Sequence, residues 1–89
     1  MIALSENQTI NIILKEYLQV KKENYLESIF TPTEKQVYGL LEQGLNNNQI
    51  CANTEKSIST LKNQINHMLR KLNARNRIEM ITKVNTKFL

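Results

Sequence analysis

Residues 59–72, STLKNQINHMLRKL, decide the fold. On a helical wheel of about 100° per residue, Leu61, Ile65, Met68, Leu69 and Leu72 share one arc with Ile58 just upstream. That arc packs on a core. Ser59, Asn63, Asn66 and Arg70 lie opposite it, Lys62 sits on one shoulder, and Thr60, His67 and Lys71 occupy the other flank. A solvated helix face ordinarily carries Glu and Lys, and asparagine is a mediocre helix former. Here there is no acid between Lys56 and Leu72. Side-chain amides pair bidentately with adenine, and Lys or Arg with guanine, in the DNA major groove. The competing account is an Asn-rich solvated surface, because Asn and Ile are abundant throughout the chain.

Working outward, Ser57 is a good N-cap for this helix. A short helix over 47–53 precedes it, capped by Asn46 with Gln49 three residues on, and Thr54–Lys56 form a tight connection. Two helices so joined make a helix-turn-helix. Before them, Pro32 opens a helix of about 33–43 that carries Val37, Leu40 and Leu41 and ends at Gly44. After them, Asn73-Ala74-Arg75 is a turn, and Asn76 caps a last helix with Ile78, Met80, Ile81 and Val84 as its apolar positions. Ser5 and Gln8 have capping-box spacing. They start either one long helix to Phe30 or two helices with a break near Lys22–Asn24. Its apolar residues include Ile10, Ile13, Leu14, Tyr17, Leu18, Tyr25, Leu26 and Ile29.

The chain has 89 residues and a net charge of +4, unevenly distributed. Up to Lys56 there are five lysines and seven glutamates; from Ser57 on there are seven basic residues and one glutamate. A basic final third suits a polyanion surface. No stretch approaches the ~20 apolar residues of a membrane span, and the N-terminus does not read as a signal peptide. One cysteine, Cys51, excludes an internal disulfide and fits a reducing, cytoplasmic setting, where a buried inert thiol is its simplest role. One His and one Cys are too few for a structural zinc site. There is no Asp, no nucleophile–His–acid set at readable spacing and no Gly-rich phosphate loop, so neither an enzyme nor a cofactor is expected.

The segment from Phe30 to Val84 resembles the LuxR-type (GerE-like) helix-turn-helix domain. The resemblance rests on Thr31 with Glu34, Gly44-Leu45, Asn47, Ile50, Ser57, Thr60-Leu61-Lys62, Arg70-Lys71-Leu72 and Asn76-Arg77, all in the family's spacing. Thr54, Glu55 and Lys56 depart from it, standing where the family has an apolar residue, a turn glycine and an apolar residue; its His is Gln64 here. The resemblance implies an all-α, four-helix domain over 31–89, with 1–30 as an N-terminal helical extension for packing or dimerisation. It implies a bacterial transcriptional regulator that binds double-stranded DNA as a homodimer on a palindromic site, with RNA polymerase as a further partner. The recognition helix spans 57–72. Base contacts are assigned to Lys62, Asn63, Asn66 and Ser59, and phosphate contacts to Ser57, Thr60, His67, Arg70 and Lys71. Dimer contacts are assigned to Ile78, Ile81 and Val84 of the last helix, and Glu34 to packing against an Arg of the last turn. Most members carry a sensor or receiver domain upstream. With about thirty residues there, neither a ligand pocket nor a phosphoryl acceptor is expected. Two other accounts stay open: an interaction module that binds another regulator without reading DNA, and a module like sigma-factor region four.

Overall fold

The computed structural model describes residues 6–88, which form five helices joined by short turns. They are α1 (Glu6–Ile29), α2 (Pro32–Glu42), α3 (Asn47–Thr54), α4 (Ile58–Lys71) and α5 (Arg77–Lys87). Boundaries fall within a residue or two of those expected. The break near Lys22–Asn24 is absent, and α1 runs unbroken for 24 residues. The polar residues there serve tertiary contacts: Lys22 Nζ meets Glu42 at 2.8 Å, and Glu23 meets Lys35 Nζ at 2.8 Å. Ser5, expected to cap this helix, lies outside the described residues.

The starts of the later helices are set locally. Thr31 and Glu34 form a reciprocal capping box, as do Asn46 and Gln49. Asn76 accepts from the Glu79 amide at 2.8 Å. Two stops are Schellman motifs. At α2, Gly44 sits at φ +87° while Leu45 N–H donates to the Leu40 carbonyl. At α4, Asn73 takes the left-handed position at φ 51° and Ala74 N–H donates to the Leu69 carbonyl. Lys83 Nζ then donates to the carbonyls of Leu72 and Asn73, placing a cation at the negative end of α4.

One core joins all five helices. Val37, Ile50, Leu61, Met68, Met80 and Val84 are fully buried, and Leu26 and Phe30 enter the same cluster. The C-terminal third of α1 therefore packs into the α2–α5 domain, with Phe30 stacked near Tyr38 at 5.7 Å between rings. Cys51 is half-buried against this core. Ile58, placed on the packing arc of α4 by its spacing, is instead exposed at the start of the helix. Lys15, Leu18 and Gln19 still line a groove with Asn85 and Phe88; upstream of about Lys15, α1 leaves the domain, and Ile10, Ile13, Leu14 and Tyr17 are exposed to solvent. Among the described residues no helix is long and apolar enough to cross a membrane.

Candidate nucleic-acid interface

The connection from α3 to α4 is three residues long and strained at its first residue. Glu55 takes the left-handed region at φ 57°, which disfavours any side chain with a Cβ. Thr54 Oγ1 donates back to the Ile50 carbonyl at 2.7 Å, satisfying the end of α3. Ser57 then starts α4. Its Oγ accepts from the Thr60 amide at 3.2 Å and donates to Thr60 Oγ1 at 2.9 Å, with Ser59 Oγ 3.3 Å away. Three hydroxyls thus cluster at a helix N-terminus, the end that favours negative charge. Ser57 is a cap first, so the hydroxyl assigned to phosphate already serves the backbone.

The outer face of α4 is open. Ser59, Lys62, Asn63, Asn66 and Arg70 are all exposed. Among the described residues the side chains of Lys62, Asn63 and Asn66 have no hydrogen-bond or ion-pair partner. Free amides on a helix keep both donor and acceptor available to a base edge. A groove beside this face is lined by Asn47, Lys62, Asn66, Arg75, Asn76 and Arg77. Arg77 Nη2 donates to Asn47 Oδ1 at 2.7 Å and ties the start of α5 to the start of α3. Nothing in the spacing signalled that bond, because its partners are 30 residues apart.

The other flank of α4 is engaged inward. Glu34 is buried, and its carboxylate accepts from Lys71 Nζ at 2.5 Å, His67 Nδ1 at 2.9 Å and its own cap residue's amide, Thr31 N, at 2.9 Å. Burial raises a carboxyl's pKa, but the bonds from Lys71, Thr31 and His67, with the charge of Lys71, outweigh it and lower Glu34 to about 2. A carboxylate only accepts, so Nδ1 of His67 carries the proton. Lys71 and His67, assigned to phosphates, thus anchor α4 on α2, and Glu34 packs against these two residues in place of an arginine. The last helix needs a correction as well. Val84 is fully buried and Ile81 packs against the core, so of the three assigned dimer contacts only Ile78 is freely exposed.

Residues 28–84 match the family model described as "Bacterial regulatory proteins, luxR family". The chain is also 38% identical over 60 residues to a protein named "Probable transcriptional regulator ycf29" from Cyanophora paradoxa. That match covers 67% of this chain but only 29% of the relative. No solved structure matches.

Proposed function

The chain belongs to the LuxR family of bacterial regulatory proteins, and from that footing we propose that it is a sequence-specific transcriptional regulator that binds DNA as a dimer. The observation that carries the proposal is the outer face of α4. Lys62, Asn63 and Asn66 stand exposed and unpartnered on a helix without acids, the second of a helix-turn-helix. Such a helix enters the major groove with its N-terminal half toward the base edges. Lys62, Asn63 and Asn66, with Ser59, read bases. Thr60 and Arg70, with the helix N-terminus at Ser57, hold phosphates, which set register without reading sequence. A dimer then places two α4 helices in successive major grooves about 34 Å apart, and occupancy recruits or blocks RNA polymerase.

The test is selection from a randomised duplex pool, wild type beside an Asn63→Ala, Asn66→Ala double variant. Wild type enriches a palindrome; the variant retains only weak, unselective, salt-sensitive binding. Equal enrichment by both proteins would remove the amides from the readout. The exposed apolar side chains of α1 favour a second reading, an interaction module for another regulator or polymerase. It predicts no enrichment by wild type.

A further inference from the structure

The exposed part of α1 carries a pattern distinct from the face it docks. Ile10, Ile13, Tyr17, Val20 and Asn24 recur at alternating steps of three and four residues. A helix packed only on a globular core follows 3.6 residues per turn, whereas this strict alternation averages 3.5, the repeat of a coiled-coil seam. The four apolar members are between 54% and 60% exposed, and Asn24 is exposed too. The seam lies about a quarter turn or more from Lys22, Leu26 and Ile29, which face the protein's own domain.

We propose that this seam pairs with the same seam of a second copy, in parallel and in register. In heptad terms Ile10, Tyr17 and Asn24 are a positions, and Ile13 and Val20 are d positions. Two features specify the arrangement. A lone Asn at an a position favours a parallel dimer in register, because only there do two such amides meet each other. Glu16 falls at g and Lys21 at the following e, so a parallel pair sets Glu16 of each copy beside Lys21 of the other. Within one protomer neither has an ion-pair partner among the described residues; Lys21 only overhangs the Tyr17 ring at 5.4 Å. An antiparallel pair would line up the g rows instead, and those carry Glu16 and Glu23. Parallel pairing also leaves both helix-turn-helix domains at one end of a two-fold axis, which a palindrome needs. In that respect the inference rests on the proposed function. The seam is only two heptads long, so the dimer is weak and reversible.

Sedimentation equilibrium of the full chain without DNA tests the pairing apart from DNA readout. Wild type dimerises reversibly. Ile13→Lys, a substitution at an exposed position, weakens the dimer by more than about a hundred-fold. Lys21→Glu weakens it about ten-fold, and adding Glu16→Lys restores it. Orientation is read by oxidation in a Cys51→Ser background: Asn24→Cys cross-links two copies and Lys15→Cys, on another face, does not. A wild type that stays monomeric, or a dimer indifferent to Ile13→Lys, overturns the proposal. If such a protein still enriches a palindrome, the regulator stands and its dimer is built elsewhere. An Asn24→Cys protein that dimerises but does not cross-link overturns the parallel register.

Discussion

Replacing Glu34 by Gln removes the one buried charge that fastens α4 to α2. Glu34 is 3% exposed, and its carboxylate holds Lys71, His67 and the Thr31 amide. Its pKa lies at about 2 in the folded protein, against 4.5 for a free carboxyl. A depressed folded pKa stabilises the native state above the unfolded pKa, and that contribution disappears as pH falls through 4.5 toward 2. At about 1.4 kcal/mol per unit, the full contribution at neutral pH is about 3 kcal/mol. Glutamine keeps an oxygen for the Thr31 amide but offers no charge to Lys71. Glu34→Gln therefore costs about 2–3 kcal/mol at pH 7. By pH 3, where the unfolded carboxyl is largely protonated, that difference shrinks by about 2 kcal/mol. Urea unfolding of both proteins at pH 7 and pH 3, followed by circular dichroism at constant salt, measures it. A difference that stays the same at both pH values would refute the role of this charge and reduce Glu34 to a packing residue.

Arg70→Ala should weaken binding to every duplex by a similar factor and lower the salt slope by about one unit per protomer, as titrations at several salt concentrations would show. Glu55→Gly should stabilise the domain by about 0.5–1 kcal/mol, since glycine relieves the left-handed strain at φ 57° and returns part of the gain as unfolded-state entropy. Gly44→Ala should cost about 1 kcal/mol at φ +87°, although a Cβ there meets no atom within 4 Å. Equal unfolding midpoints for the last two variants and wild type would remove backbone strain as the cause.

Local chemistry made much of this fold legible. Asn46 and Asn76 were readable as helix starts because a cap and its partner lie three residues apart, Ser57 because it is a good cap residue, and the start of α2 because Pro32 suits a first turn. The face of α4 was readable because Leu61, Ile65 and Met68 repeat with the helix. What escaped depends on distance along the chain. Lys71 and His67 look like free surface side chains until α2 brings Glu34 beneath them, 37 and 33 residues away respectively. Val84 looks like an interface residue until the core is seen to close over it. The polar run at Lys22–Asn24 looks like a break because spacing alone does not show Glu42 and Lys35 waiting across the interface. The groove of Asn47, of Lys62 and Asn66, and of Arg75 and Arg77 assembles from three separate segments, so no short window of sequence contains it.

Most cations of the basic final third are already occupied. Lys71 answers Glu34, Arg75 and Lys83 share Glu79, Arg77 holds Asn47, and Lys87 lies over the Tyr25 ring. Lys62 and Arg70 alone stand on the outer face of α4 without an acidic partner among the described residues. In the proposed complex one domain therefore releases few counterions and holds a single half-site weakly. Tethering two such grips makes the second contact intramolecular, at an effective concentration near millimolar for a short connection. Occupancy then rises with the square of protomer concentration while the dimer is scarce. In the proposed dimer, occupancy therefore changes over a narrow range of protein copy number.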